Sequence, residues 1–203
     1  MKCLTKKVFK LKKTKRTKRT ICVVAASRKL GVTHISLAIG NFFASVQKQK
    51  VLYVEVASKS QLVSTVGEKA EYFHGKRVFK YKGVNYMLQA SVKEAMEVMT
   101  FDDCVIIYDL EGYNAKTDVI VSRCDVKLLI GSMKSWCEKD FLQTIDSWKG
   151  EIKEVRFLNK GTSRDEKRKF QKIYNEHLDT LPFIEEPFSL KETEFESIYK
   201  LVK

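Results

Sequence analysis

A short loop between an apolar run and a helical pattern is the part of this chain best suited to chemistry. The run Ile21–Ala25 is rich in β-branched residues, which predicts a buried strand. From Thr33 onward apolar residues recur at helical spacing, so a helix is expected there. The loop between them contains Gly31 and would bring backbone N–H groups and the positive end of the helix to an anion. This arrangement is typical of a phosphate-binding site.

The loop nearly fits a phosphate-binding pattern of the form G-x-x-x-x-G-K-[ST]. Ala26 stands at the first glycine, Gly31 at the second and Thr33 at the hydroxyl position. Val32 stands where the pattern has a lysine that contacts the outer phosphates. The spacing therefore predicts an anion site, whereas the missing lysine counts against hydrolysis.

The same stretch, followed by Gln49–Ser58 (QKVLYVEVAS), resembles the ParA/MinD group of P-loop ATPases over the span from Thr20 to Phe188. Members of that group carry two lysines in a loop of the form K-G-G-x-G-K-[ST]. On this chain the two lysine positions fall on Ser27 and Val32. The resemblance assigns nucleotide contacts to the loop and the start of the helix, namely Ser27, Arg28, Lys29, Leu30, Gly31, Val32, Thr33 and His34.

The resemblance also assigns roles to residues at the ends of later strands. Asp109 ends the run CVIIYD and matches an acid that binds Mg²⁺ together with Thr33. The segment DLEG, which ends at Gly112, matches a pattern whose glycine amide meets the last phosphate. Asn159 would pair with the edge of adenine, and Pro182 would lie beside the base. Ordinary strand ends are the alternative reading of both Asp109 and Asn159.

Two further positions depart from the ATPase group. Glu55 ends the second strand at an acidic position of the family, but Ala57 replaces the second acid, which organises metal and water. Arg28 and Lys29 occupy loop positions where the family has glycines, which predicts backbone strain. Two lysines and one acid are therefore missing, so ATP with Mg²⁺ is expected to bind weakly or not at all.

The order of apolar segments predicts the fold class. Strands alternate with helices, which argues for a three-layer α/β/α sandwich with a mostly parallel sheet, as in P-loop NTPases. A hairpin is expected within Glu71–Gln89, turning at Lys82-Gly83. The predicted strands begin near Ile21, Val51, Cys104, Val126, Ile152 and Leu178. In such sheets ligands bind beyond the carboxyl ends of the strands, where all the residues assigned above are expected to lie.

The composition favours a single globular domain over a membrane-spanning or secreted protein. The chain has 203 residues, of which 44% are hydrophobic, enough for one domain over 20–203. Five cysteines without paired spacing predict reduced thiols in a cytoplasmic protein, and three scattered histidines predict no metal site. No apolar run reaches the roughly 20 residues that span a bilayer, and the basic N-terminus lacks the features of a signal peptide.

The positive charge is concentrated in an N-terminal tail, predicted to cover 1–19. Met1–Thr20 holds ten Lys and Arg residues and no acid, so the net charge of +13 falls to +3 for the remainder. Without a binding partner such a segment is expected to be disordered, because its positive charges repel one another. Three roles of this tail are consistent with its charge. It could be a solvated tail, it could contact anionic lipid or nucleic acid, or it could contact a protein.

Three functions are consistent with these patterns. The first is a pseudo-ATPase that acts as scaffold or regulator in a positioning or secretion-type assembly, paired with an active ATPase relative or a second copy of itself. The second is an active ATPase in which Arg28 or Lys29 replaces the missing lysine. The third is a module that binds nucleic acid or a membrane surface peripherally through 1–20.

Overall fold

The computed structural model describes residues 18–67, 69–148, 152–161 and 163–203. The predicted basic tail therefore lies almost wholly outside the described residues. The first strand begins at Arg19, one residue before the expected start of the domain.

A single sheet runs through the described part of the chain and contains nine strands there. They are β1 (Arg19–Ala25), β2 (Val51–Val56), β3 (Ala70–Phe73), β4 (Lys76–Tyr81), β5 (Val84–Met87), β6 (Val105–Leu110), β7 (Val126–Gly131), β8 (Val155–Asn159) and β9 (Leu178–Thr180). Their order is β3-β4-β5-β2-β6-β1-β7-β8-β9. The β3–β4 and β4–β5 pairs are antiparallel, and every other neighbouring pair is parallel.

Helices cover both faces of this sheet. They are α1 (Val32–Asn41), continued by a π-helical turn at Phe42–Val46, then α2 (Val63–Val66), α3 (Val92–Val98), α4 (Asp118–Val121), α5 (Glu138–Trp148), α6 (Arg164–Tyr174) and α7 (Glu192–Val202). One core contains the buried side chains of α1 and α7, and a second core contains those of α3, α4, α5 and α6. The predicted α/β/α sandwich with a mostly parallel sheet is confirmed.

Local hydrogen bonding explains where the elements differ from the prediction. The sequence over 114–124 predicts a helix, but only Asp118–Val121 is α-helical there. The side-chain oxygen of Asn114 accepts from the backbone N–H groups of Lys116 and Thr117, which forms a turn in place of the first helical residues. The predicted hairpin gains a third strand, because His74 and Gly75 both adopt positive φ and form an additional turn.

In the sequence, Ser91 followed three residues later by Glu94 predicts a capping box at the start of α3, and this capping box is confirmed. The hydroxyl of Ser91 accepts from the Glu94 N–H at 3.2 Å, and the Glu94 carboxylate accepts from the Ser91 N–H at 2.9 Å. This reciprocal pair satisfies two donors that the first turn of a helix leaves open. Strand β5 and the following residues are thereby joined to α3 at a defined point.

Replacing Gly131 by alanine tests the packing of β7 against α5. The new Cβ would lie 2.0 Å from a ring carbon of Phe141, which is fully buried. We expect the free energy of unfolding, measured in urea, to fall by about 1–3 kcal/mol. Gly40→Ala in α1 is the matched control, since its Cβ would lie at an ordinary 3.5 Å from Ile107.

The control variant should be as stable as the wild type or more stable by up to about 1 kcal/mol, because alanine favours a helix interior. Equal stability of the Gly131→Ala variant and the wild type would contradict the packing described for β7 and α5.

Candidate functional site

A cavity of about 560 Å³ opens at the carboxyl ends of β1, β2 and β6. Its lining includes every loop residue from Ser27 to His34, together with Glu55, Ala57, Lys59, Asp109 and Glu111. The loop after β1 and the acids at the ends of β2 and β6 therefore face one space. We call this space the cleft.

The loop that follows β1 is held in a strained conformation. Ala26 continues β1 by donating its N–H to Ile130 O at 2.9 Å. Lys29 and Gly31 adopt φ angles of 62° and 100°, in the left-handed region. For a non-glycine residue this costs about 1–2 kcal/mol. The ammonium of Lys160 donates to Lys29 O at 3.3 Å, which helps to hold the conformation. The expected strain is found at Lys29, whereas Arg28 is not among the residues with positive φ.

The start of α1 presents donors to the cleft. The N–H of Ile35 donates to Gly31 O at 3.1 Å, which closes the first helical turn. No side chain accepts a capping bond at Gly31, so the N–H groups of the residues just after it lack a capping acceptor. The hydroxyl oxygen of Ser27 is also buried without a hydrogen-bond partner. These unsatisfied donors fit an anion such as a phosphate.

The two residues expected to bind Mg²⁺ are brought together. Asp109 in β6 lies beside Thr33 in the first turn of α1, whose hydroxyl favours the charged form of the carboxyl. Its carboxylate also accepts a short hydrogen bond from the hydroxyl of Tyr53 in β2. Glu55 is the register partner of Asp109 on the neighbouring strand. A hydroxyl and a carboxylate are oxygen ligands of the kind that Mg²⁺ prefers, so these residues fit the ion.

Burial changes the acidity of both carboxyl groups. It raises the pKa of Asp109 from 3.8 to about 6, an effect that Glu55 reinforces and that the hydrogen bonds from Tyr53 and Thr33 oppose. Burial also raises the pKa of Glu55, against hydrogen bonds from Ser60 and from the Gln89 N–H. The negative charge at the base of the cleft is therefore poorly solvated, and a cation bound there would stabilise it.

Three predicted contact residues lie elsewhere. Asn159 is fully buried, where its side-chain oxygen accepts from Met133 N–H at 3.0 Å and its NH₂ group donates to Glu166 at 3.4 Å. Gly112 follows β6, and Pro182 follows β9. None of the three lines the cleft. Their contacts with a nucleotide stay predictions.

The segment after β9 is nevertheless attached to the loop. The Nε2 atom of His34 lies 2.8 Å from Ile184 O, within hydrogen-bond distance. Leu181 donates its N–H to Asn159 O at 3.0 Å, and its side chain lies 4.0 Å from where a Cβ on Gly31 would be. The segment after β9 therefore lies against the start of α1, while the place of Pro182 beside a nucleotide base stays a prediction.

The sequence interpretation missed Tyr53 and Lys59. Tyr53 lies two residues before Glu55, so strand alternation places both side chains on the same face of β2. That spacing could have identified the hydroxyl as a partner of the strand-end acids. Lys59 lies in a segment without a recognised motif and carried no comparable signal.

The described residues also bear on metal binding, on the state of the cysteines and on membrane spanning. Within the described ranges, no cluster of three or more His, Cys, Asp and Glu side chains is suited to holding a metal ion. Four cysteines described there have free thiols, namely Cys22, Cys104, Cys124 and Cys137. Each helix in those ranges is too short or too polar to cross a bilayer.

The fold matches solved structures across almost the whole chain. A putative plasmid partition protein from Borrelia burgdorferi B31, bound to AMPPNP, superimposes with a TM-score of 0.63 and 10% identity, covering 91% of this chain and 98% of its own. The ParA family ATPase from Chlorobium tepidum TLS superimposes with a TM-score of 0.60 and 9% identity, covering 91% of this chain and 90% of its own. The MinC:MinD cell division protein complex from Aquifex aeolicus gives a TM-score of 0.62 and 13% identity, with 90% of this chain and 86% of the matched chain covered.

These matches establish a ParA/MinD-like fold, as the resemblance predicted. At identities of 9–13% they establish the fold alone. No protein-family model matches the chain, and no curated protein matches it in sequence.

Replacing Asp109 by asparagine tests the buried charge. Because burial raises the pKa of Asp109 in the folded protein to about 6, protonation stabilises the folded state at low pH, and this stabilisation is lost as pH rises from about 4 to 6. Asparagine removes the buried charge. We expect the variant to be more stable than the wild type by about 1–3 kcal/mol at pH 7 in urea unfolding.

The difference should shrink as the pH is lowered from 7 to 4. Asp179→Asn, at an exposed position in β9, is the control and should show no such pH-dependent difference. A difference for Asp109→Asn that does not change with pH would contradict the raised pKa.

Proposed function

We propose that this protein is a nucleotide-binding pseudo-ATPase. It binds ATP with Mg²⁺ weakly, turns it over extremely slowly, and acts as scaffold or regulator in a positioning or secretion-type assembly. The observation that carries the proposal is the juxtaposition of Thr33 and Asp109 in one cleft, beside a helix N-terminus that no side chain caps. An anion site and a metal site adjoin there.

Retained binding is supported by the groups that face the cleft. The N-terminus of α1 and the unpartnered hydroxyl of Ser27 would accommodate phosphate oxygens. Thr33 and Asp109 would hold Mg²⁺, which supplies the charge that neutralises the phosphates. Binding to backbone donors needs no lysine within the loop. The plasmid partition protein with the same fold is bound to AMPPNP, an ATP analogue, which supports this class of ligand.

Lost turnover is supported by the groups that are missing. Ser27 and Val32 stand at the two lysine positions, and Ala57 stands at the second acid after β2. All three positions line the cleft. Removing one preorganised electrostatic stabiliser typically lowers a rate by about 10²–10³. Loss of three such groups is expected to reduce hydrolysis far below the values common among enzymes.

A role through protein contacts is supported by the loops beside the cleft. Trp136 follows β7 and Phe183 follows β9, at the same sheet edge as the cleft, and they are 79% and 87% exposed. Exposed aromatic residues are common anchors of protein interfaces. The MinD structure that shares this fold is a complex with MinC. The partner we propose is an active ATPase relative or a second copy of this chain.

Calorimetric titration with ATP and Mg²⁺, combined with an assay of phosphate release, tests this function. We expect saturable binding that requires Mg²⁺, with no phosphate release above background. Thr33→Val keeps the shape of the side chain and removes the hydroxyl, so affinity should fall at least about tenfold. Thr144→Val in α5, on the other face of the sheet, is the control and should bind like the wild type.

Absence of binding by the wild type at millimolar nucleotide would reject the nucleotide part of this proposal. Turnover of about 1 s⁻¹ or more, as in ordinary enzymes, would instead support the alternative of an active ATPase.

The concentration of charge in the first 20 residues favours a second function. Ten of the 38 Lys and Arg residues lie there without an acid, so this segment would attract phosphate groups of nucleic acid or anionic lipid. Removal of residues 1–17 is the suitable test. Thr20 must be kept, because its N–H and hydroxyl both donate to Asp125, at 2.7 and 2.8 Å, and thereby attach β1 to the start of β7.

We expect the full chain to bind duplex DNA or vesicles containing phosphatidylserine, with affinity that falls steeply as salt is raised. The truncated chain should lose this binding while keeping its thermal stability. If both chains bind equally, or if binding does not depend on salt, the tail has no such role.

A further inference from the structure

Three cationic side chains line the cleft, although the loop lacks its usual lysines. Arg28 and Lys29 belong to the loop after β1, and Lys59 comes from the segment after β2. None of the three makes an ion pair with another described residue. Positive charge is therefore available in the cleft from two different sides.

The segment that carries Lys59 is anchored beside the strand-end acids. Ser60 lies beside the carboxylate of Glu55, and its hydroxyl oxygen accepts from the Leu62 N–H at 3.1 Å. The side chain of Leu62 is buried. Because Ser60 and Leu62 are held, the backbone of their neighbour Lys59 has a defined position at the end of β2.

Lys59 lies on the side of the cleft where the metal ligand is found. It follows Glu55 by four residues, and Glu55 is the register partner of Asp109. Arg28 and Lys29 extend from the loop on the other side, and the carbonyl of Lys29 is bound by Lys160. In phosphate-binding loops the metal and the lysine meet the outer phosphates. A cation on the segment that follows β2, the strand that carries Glu55, is therefore better placed for those phosphates than a cation on the loop.

We infer that Lys59 supplies the positive charge for the outer phosphates of a bound nucleoside triphosphate, in place of the lysine replaced by Val32. This inference rests on the proposed nucleotide binding and identifies the residue that sustains it. The unpartnered hydroxyl of Ser27 independently indicates that the cleft accepts a polar ligand. Lys59 is a binding residue in this account, and it restores charge without restoring the geometry of the loop lysine.

The contribution of Lys59 to nucleotide affinity should depend on the number of phosphates in the nucleotide. A residue that contacts the outer phosphates stabilises ATP strongly, ADP less and AMP hardly at all. Arg28 and Lys29, if they bound the inner phosphate from the loop, would affect all three nucleotides. The ratio of affinities for ATP and AMP therefore distinguishes the two positions of the cation.

Calorimetric titration of the full chain with ATP plus Mg²⁺, ADP plus Mg²⁺, and AMP provides the test. We expect Lys59→Gln to weaken ATP binding about tenfold or more, ADP binding less, and AMP binding within error of the wild type. Lys59→Arg keeps the charge and should retain most of the ATP affinity. Lys80→Gln, at an exposed position in β4, is the matched control and should bind all three like the wild type.

Thermal unfolding of each variant verifies that it folds. Wild-type affinity of Lys59→Gln for ATP, or an equal loss for ATP and AMP, overturns this inference and leaves the proposed function intact. A wild type that binds no nucleotide rejects the proposed function and this inference together. If ATP affinity is lost in Arg28→Gln or Lys29→Asn but not in Lys59→Gln, a loop residue supplies the positive charge that binds the phosphates, and the inference is overturned.

Discussion

The cleft depends on keeping the carboxylate of Asp109 buried at the end of a central strand. Only 3% of this residue is exposed, and its carboxylate accepts from the hydroxyl of Tyr53 and lies beside Thr33. These contacts join β6 to β2 and to the first turn of α1. Glu55 lies alongside on β2, so two acids with raised pKa values share a poorly solvated space. A cation is the species that such an arrangement accommodates best.

This constraint separates the binding of a triphosphate from its hydrolysis. Backbone donors at the N-terminus of α1 and the juxtaposition of Thr33 with Asp109 come from the fold, because the path of the chain from β1 through the loop into α1 creates them. Under the proposed function, hydrolysis would depend on single side chains, which Val32 and Ala57 could not supply. The proposed protein would keep its nucleotide site without that chemistry, and its choice of partner would then depend on whether the cleft is filled.

Much of the fold could be predicted from the sequence, because buried parallel strands are continuous apolar runs and their separation by helical patterns favours one topology. The loop and Asp109 were also predictable, since strand-end acids and phosphate loops follow recognisable spacings. Tyr53 was missed because an aromatic residue in an apolar strand is normally interpreted as core, although its position two residues before Glu55 could have indicated a role for the hydroxyl. Lys59 was missed, and α4 is shorter than the sequence predicts, because both features depend on local contacts of the Ser60 and Asn114 side chains, which have no periodic signature.

A crystal structure of the protein grown with AMPPNP and Mg²⁺ tests the central claim most directly. The account predicts phosphate density against the N-terminus of α1. It also predicts that the metal is bound by Thr33 and lies next to Asp109. The base would extend toward the segment that follows β9. Well-ordered crystals at saturating nucleotide with density at another site, or with the cleft filled by solvent alone, would contradict the account.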